Sequence, residues 1–353
     1  MEIFVNWLTF STFLLTTYTK RLEIRTQPSH PMIKMLEEGK MNIIYYHPFF
    51  DADTWINGMK ARLPDANIRI WEPGDNEPAD YALVWLPPYE MLASRNHLKG
   101  IFALGAGVDA ILKQEQQKPG TLPTGVPVMR LEDTGMGLQM QEYAIAKVMY
   151  YFRRMDDYKR QQSQRLWKQL PSHSYDNFVI GVLGAGALGG SVATKLAELG
   201  FNVRCWSRSE KQIKDVESFY GKEQLSDFLQ ECNLLINLLP YTPETHGILN
   251  FSLFEQLKPS SYLINLARGA HLVDQDLLEA IDQGHIADAT LDVFAQEPLA
   301  GMHPFWTHPR VSITPHIAAF TIPNIAMDTI VENIQRIEKG EAPLGVVDMN
   351  SGY

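Results

Sequence analysis

Cysteine is nearly absent: the chain has two in 353 residues, Cys205 and Cys232. Two cannot build a disulfide framework or a Cys-rich zinc site, and no metal ligand set is read from the rest of the chain. Both sit in apolar, strand-like segments, where cysteine serves as a small core residue, and a reducing cytoplasm is the expected compartment. Basic excess is lacking too, since 31 Lys and Arg against 41 Asp and Glu leave a net charge of −10. That excludes a general binder of nucleic acid or of an anionic membrane surface, because both need a basic face. Long hydrophobic runs are also missing. Ile3 to Tyr18 is apolar but is broken by Asn6 and several Ser and Thr, and it falls short of the ~20 apolar residues of a spanning helix. It has neither the basic residues ahead nor the small-residue cleavage site behind that a signal peptide needs. The composition is otherwise that of an ordinary globular protein, 45% apolar and 20% charged with 24 Gly and 21 Pro, which excludes collagen-like and disordered chains. At about 150 residues per domain the length suits two domains.

Residues 1–40 do not match the rest of the chain. A strand pattern begins at once after Met41, with Asn42-Ile43-Ile44-Tyr45-Tyr46, and Glu37-Glu38-Gly39-Lys40 just before it would be encoded by purine-rich codons, as a bacterial ribosome-binding site is. We expect Met41 to be the natural start and residues 1–40 to be a non-native or disordered extension, with a weak membrane anchor as the alternative. From Met41 short apolar runs alternate with helical stretches, the signature of an α/β sheet. Strands are expected at Ile43–Tyr46, Ile68–Trp71, Tyr81–Trp85, Ile101–Leu104 and Val126–Met129. A long helix is expected from about Leu138 to Tyr158, where Met140, Ala144, Val148 and Tyr151 recur at helical spacing. A second series runs through Phe178–Leu183, Val203–Trp206, Leu234–Leu239, Tyr262–Leu266, Ala289–Val293 and Val311–Thr314. Runs such as Leu234-Leu235-Ile236 suit a parallel sheet covered on both faces. Asp274 reads as the N-cap of a helix through Ile281, and the last helix, about Ile325 to Lys339, stops at Gly340.

The sharpest local signal is Gly184-Ala185-Gly186-Ala187-Leu188-Gly189. It comes after a strand and opens a helix whose Leu188, Val192, Leu196 and Leu199 form an apolar stripe closed by Gly200. Glycines there permit the tight turn and let backbone N–H groups meet a pyrophosphate at the helix N-terminus. An NAD site would place an acidic residue ~20 positions on, against the ribose 2′-hydroxyl. The second strand ends instead Trp206-Ser207-Arg208-Ser209. Ser207 removes the repulsion an acid would exert on a 2′-phosphate, and Arg208 offers that phosphate a bidentate grip. Arg204 and Lys211 add local positive charge. NADPH is therefore expected over NADH.

Three downstream segments carry reactive residues just beyond strand ends: Asn265-Leu266-Ala267-Arg268-Gly269, Leu291-Asp292-Val293-Phe294-Ala295-Gln296-Glu297-Pro298 and Thr314-Pro315-His316-Ile317-Ala318-Ala319. In open α/β sheets ligands bind at the carboxyl ends of strands. With the glycine loop and Leu239-Pro240-Tyr241-Thr242-Pro243-Glu244-Thr245, in this order, they resemble the D-isomer-specific 2-hydroxyacid dehydrogenases from Met41 to the C-terminus. Phe102-Ala103-Leu104-Gly105-Ala106-Gly107-Val108-Asp109, Arg130 to Gly137 and the terminal Gly352-Tyr353 are most similar to the bacterial reductases of that family.

The resemblance implies an α/β fold of two doubly wound parallel-sheet domains. A Rossmann-type cofactor domain, residues 139–317, is inserted in a flavodoxin-like substrate domain, residues 41–138 and 318–353. It implies NADPH-dependent reduction of glyoxylate to glycolate and of hydroxypyruvate to D-glycerate, in a cytoplasmic homodimer. His316 would be the proton donor, Glu297 would fix its tautomer and help it hold a proton, and Arg268 would clamp the substrate carboxylate and polarise the carbonyl. Ala106 and Gly107 would present backbone N–H groups to the same carboxylate. Pro240 and Asp292 would lie against the cofactor, Asp292 at the nicotinamide carboxamide. Trp167 resembles a tryptophan on the family's dimer arm, and Trp85 and Tyr45 are candidates for the substrate-pocket wall. Asp133-Thr134-Gly135-Met136-Gly137 departs from the Asn-rich turn of many members, so no site residue is placed there. A reductase of a larger 2-oxo acid, or an NAD(P)H-sensing binding protein on this fold, are the alternatives.

Overall fold

A computed structural model describes residues 40–349 apart from 94, 132 and 133. The expectation for residues 1–40 therefore lies, except for Lys40, outside the described residues, as do Gly352 and Tyr353.

The first apolar series forms a five-stranded sheet from β1 (Asn42–Tyr46), β2 (Asn67–Ile70), β3 (Tyr81–Val84), β4 (Gly100–Ala103) and β5 (Val128–Arg130), in the order β2-β1-β3-β4-β5. The second forms a seven-stranded sheet from β6 (Val179–Leu183), β7 (Asn202–Ser207), β8 (Glu217–Tyr220), β9 (Leu234–Asn237), β10 (Ser261–Asn265), β11 (Ile286–Leu291) and β12 (Val311–Ile313), in the order β12-β11-β10-β9-β6-β7-β8. Every strand pairing is parallel. The first order is that of flavodoxin-like sheets and the second contains the dinucleotide-binding order, so the expected α/β fold class holds. All four residues of β9 are buried, as a run covered on both faces requires. Cys205 and Cys232 are free and buried in the core of this sheet.

The chain crosses from the first sheet to the second and back, and the two crossings lie side by side. Gln139 bonds Phe320 in both directions, its Nε2 donating to the carbonyl at 2.8 Å and its Oε1 accepting from the amide at 3.2 Å. Thr321 Oγ1 donates to the Leu104 carbonyl at 3.0 Å. After the return, the Pro323–Glu338 helix packs Ala326, Met327, Ile330 and Ile334 against Trp55 and Met59 under the first sheet. Gly58 lies in the helix Ala52–Arg62, and a Cβ there would sit 2.3 Å from the Met327 methyl, so the two helices touch at this point. Among the described residues no helix is long and apolar enough to cross a membrane.

Local details correct three expectations and add one strand. The helix expected over Leu138–Tyr158 is two, Met136–Phe152 and Met155–Ser163. Arg154 between them takes a left-handed φ of 58°, and its guanidinium reaches Asp157 and the Pro171 carbonyl at 2.7 and 3.0 Å. Asp274 is the first residue of its helix, with Val273 at the cap position, and its carboxylate faces His303 Nε2 at 3.2 Å. Leu199 lies just past the Ala187–Glu198 helix and is exposed, so the buried stripe is Gly189, Val192, Ala193 and Leu196. Edge strand β8 has no apolar alternation to announce it; Glu217 pairs with Arg204 of the adjacent strand at 2.7 Å.

Candidate active site

The carboxyl ends of both sheets open onto one cleft of about 2440 Å³. Its walls include Ala106, Gly107, Gly184 through Gly189, Ser207, Arg208, Pro240, Arg268, Asp292, Glu297 and His316. The glycine loop, Ser207, Arg208, Pro240, Asp292 and the residues expected to handle the substrate, Ala106, Gly107, Arg268, Glu297 and His316, therefore line a single space.

The glycine loop leaves β6 at the point where strand order reverses. Its three glycines meet three different demands. Gly184 has φ 102° and a Cβ there would lie 2.6 Å from the Leu238 carbonyl. At Gly189 a Cβ would lie 1.7 Å from the Gly184 carbonyl, so only glycine lets the helix start so close to the strand. Around Gly186 nothing lies within 4 Å of that position. This open side, next to first-turn N–H groups that have no intrahelical acceptor, is a cradle for a pyrophosphate. The residues therefore fit a dinucleotide. β7 ends on Ser207 and not on an acidic residue, and Ser207 Oγ donates to the Ser209 carbonyl at 2.8 Å. Arg208, Lys211 and Lys222 line that end of the cleft. Lys222 was not foreseen from the sequence, because it enters from beyond the edge strand β8. Arg204 does not take part. Its guanidinium is spent on Glu217 and on the carbonyls of Asp227 and Phe228.

At the other end, His316 Nδ1 stands 2.8 Å from Glu297 Oε2. A carboxylate only accepts, so Nδ1 carries a hydrogen and Nε2 is the ring nitrogen left for the cleft. Glu297 Oε1 accepts the Phe294 amide at 2.9 Å. Burial works to raise the Glu297 pKa, but the His316 ring, that amide and the Arg268 charge outweigh it and hold the carboxyl below its ordinary value. His316 has a left-handed φ of 55°, a conformation that costs a non-glycine residue on the order of 1 kcal/mol or more. Asp292 compensates for it. Its backbone carbonyl accepts the His316 amide at 2.8 Å. Its fully buried carboxylate accepts from Thr314 Oγ1 and the amides of Ile317 and Ala318 at 2.5, 2.9 and 2.8 Å. Thr314 is in turn 2.6 Å from the Tyr143 hydroxyl, which must be the donor because the Thr314 hydrogen is already committed. Asp292, expected at the nicotinamide, holds the His316 turn.

Arg268 lies just beyond β10 and reaches across to the first sheet. Its Nε and Nη2 approach Asp109 Oδ1 at 3.1 and 3.0 Å, and Nη1 donates to the Ala267 carbonyl at 2.8 Å. A guanidinium has five N–H groups, so these three leave 5 − 3 = 2 with no partner among the described residues. A Cβ on Gly107 would fall 1.6 Å from Arg268 Nη2, so the guanidinium lies directly on the Gly107 backbone. Asp109 was not singled out from the sequence; its one signal there was its place in the Gly105–Asp109 segment. Nearby, His47 stacks on Phe50 with ring centres 3.8 Å apart, and Trp85 packs on Gly105. Trp85 lines the cleft. Tyr45 does not; it is 1% exposed and stacks on Trp55 in the core. Trp167 is fully exposed.

Residues 145–318 match the model of the family described as D-isomer specific 2-hydroxyacid dehydrogenase, NAD binding domain. A glyoxylate/hydroxypyruvate reductase A of Photorhabdus laumondii is 69% identical over 313 residues, which is 89% of this chain and all of the relative. A solved D-isomer specific 2-hydroxyacid dehydrogenase from Xanthobacter autotrophicus, in complex with NADPH and MES, superposes with a TM-score of 0.84 at 37% identity, over 89% of this chain and all of that one. An NADPH-dependent glyoxylate/hydroxypyruvate reductase from Sinorhizobium meliloti, in complex with NADP and sulfate, gives a TM-score of 0.81 at 33% identity, with coverage of 89% and 100%. Site, topology and similarity agree: the chain belongs to the D-isomer specific 2-hydroxyacid dehydrogenase family.

Proposed function

We propose that the chain reduces glyoxylate to glycolate and hydroxypyruvate to D-glycerate with NADPH. The observation that carries this is the His316–Glu297 pair sharing one cleft with Arg268 and with a phosphate-cradling glycine loop. The activities for which the Photorhabdus and Sinorhizobium relatives are named support the same reading. Gly184 through Gly189 would hold the pyrophosphate, Ser207 and Arg208 the 2′-phosphate, and Pro240 and Asp292 the nicotinamide end. When bound, NADPH supplies a hydride to the carbonyl carbon. His316 Nε2 holds the proton that the carbonyl oxygen must receive, and Glu297 keeps the ring in that orientation. The two open N–H groups of Arg268 grip the 2-oxo acid carboxylate beside the Ala106 and Gly107 backbone, setting the carbonyl in place. Trp85 and the His47–Phe50 stack narrow this end of the cleft, which favours small 2-oxo acids over large ones.

Residues 41–138 with 318–353 form the substrate domain in this reading, and 139–317 the dinucleotide domain. The reading also includes a cytoplasmic homodimer, supported by the exposed side chains of Leu166 and Trp167 on the arm after the Met155–Ser163 helix. Monomer mass at assay concentration contradicts the dimer.

Initial rates with a series of 2-oxo acids, each with NADPH and with NADH, test the function. Glyoxylate and hydroxypyruvate with NADPH should give the highest kcat/KM. A larger 2-oxo acid as best substrate would establish the first alternative, and binding of NADPH without turnover of any acid would establish a sensor. In the same assay Arg208→Asp should lower kcat/KM with NADPH by roughly 10- to 150-fold, the worth of one charge-assisted contact. If that variant still prefers NADPH as strongly as the wild type, Arg208 is not the 2′-phosphate residue.

A further inference from the structure

The adjacent strand ends of β9 and β10 bring Asn237 and Asn265 into register as partners. Both side chains, and that of His271 on the turn after Arg268, are completely buried. Buried polar groups in such a place must satisfy one another, and here the geometry admits one assignment of hydrogens. Asn237 Nδ2 stands 2.9 Å from both Asn265 Oδ1 and His271 Nδ1. It gives one hydrogen to each, so His271 Nδ1 accepts. The neutral ring then carries its hydrogen on Nε2, which faces the Pro240 carbonyl at 3.3 Å. Burial, with the Arg268 and His246 charges adding to it, pushes the His271 pKa down to about 4 against the opposing pull of the Pro240 bond and Asp109, and so keeps the ring neutral. Asn265 continues the chain of bonds: Oδ1 accepts the Ala267 amide at 3.3 Å, and Nδ2 donates to the Arg268 carbonyl at 3.1 Å. Pro240 heads the loop on the cofactor side, whereas Arg268 is the residue assigned to the substrate carboxylate.

We propose that His271 is a positioning residue that ties the Pro240 loop to the Arg268 loop through Asn237 and Asn265, and so sets the two reaction partners against each other. This rests on the function proposed above. The tie acts on hydride-transfer geometry, not on cofactor capture, because its hydrogen bonds run among Asn237, Asn265, His271, Pro240, Ala267 and Arg268 and take in no residue of the Gly184–Gly189 loop. Misplacing reacting groups by about 1 Å costs on the order of 100-fold in rate.

Two variants separate the tie from mere packing. His271→Gln offers an acceptor to Asn237 and reaches far enough to donate toward Pro240. His271→Asn retains the acceptor position but stops short of Pro240. The expected result is a kcat with glyoxylate within about threefold of wild type for His271→Gln, and about 10- to 100-fold lower for His271→Asn. The NADPH dissociation constant, read by nucleotide fluorescence, should stay within about threefold in both. Equal kcat values for the two variants overturn the proposal, as does a loss of kcat matched by an equal loss of NADPH binding. A wild-type protein that turns over no 2-oxo acid refutes instead the function on which the proposal rests.

Discussion

Replacing His316 by Ala lowers kcat by about 10²–10⁴-fold, the usual worth of a positioned general acid, and leaves NADPH binding intact. The size of the effect reflects the loss at the carbonyl oxygen. Once the hydride arrives, that oxygen carries a negative charge, and His316 stands in the cleft with one ring nitrogen fixed by the Glu297 carboxylate and the other free. The turn around it is built for this task. A left-handed residue between Thr314 and Ile317 is kept in place by four hydrogen bonds to Asp292. Substitution removes the ring without dismantling the turn, because those bonds come from backbone amides and Thr314. Steady-state kcat with glyoxylate, beside a fluorescence titration of NADPH, checks the prediction. A variant with near wild-type kcat would show that the proton comes from elsewhere.

Changing Arg268 to Lys should be nearly as damaging, although the charge is kept. A guanidinium offers two parallel N–H groups to a carboxylate while still bonding Asp109 and the Ala267 carbonyl, and an ammonium cannot do all of this at once. The loss is about two charge-assisted hydrogen bonds at roughly 1.5–3 kcal/mol each, or on the order of 10²–10⁴-fold in kcat/KM. Asp109 is also left with a partner too short to span the same gap, and the Gly107 backbone loses the plane that lies on it. The kinetics of the 2-oxo acid at saturating NADPH measure this. An unchanged kcat/KM would remove Arg268 from the substrate site.

Much of the cofactor half was legible because its demands are local. The Gly184–Gly189 loop needs small residues at fixed offsets, and the absence of an acid at Ser207 is visible in one position. Arg268, Glu297 and His316 each come just after an apolar strand run, but position alone does not single them out; their order behind the glycine loop, and the family resemblance it carries, does. Groups whose role depends on which strands lie next to each other were not legible. Asn237 and Asn265 become partners only once β9 pairs with β10, and His271 looks like any residue of a short turn. Lys222 joins the phosphate end only because β8 folds onto the edge of the sheet, and that strand has no alternating pattern of its own. Arg204 failed for the complementary reason: on a strand its side chain took the face where Glu217 waits, not the cleft. The break between the helices ending at Phe152 and starting at Met155 was hidden because Arg153 and Arg154 are ordinary helix formers; the turn at Arg154 is held by Asp157 and Pro171, contacts that spacing does not reveal.

The most direct test of the central claim is the product formed from hydroxypyruvate and NADPH, resolved by enantiomer and counted against the NADPH consumed. D-glycerate alone is expected, one for each NADPH oxidised. Glycerate of the opposite hand, or NADPH bound but never oxidised, would contradict it.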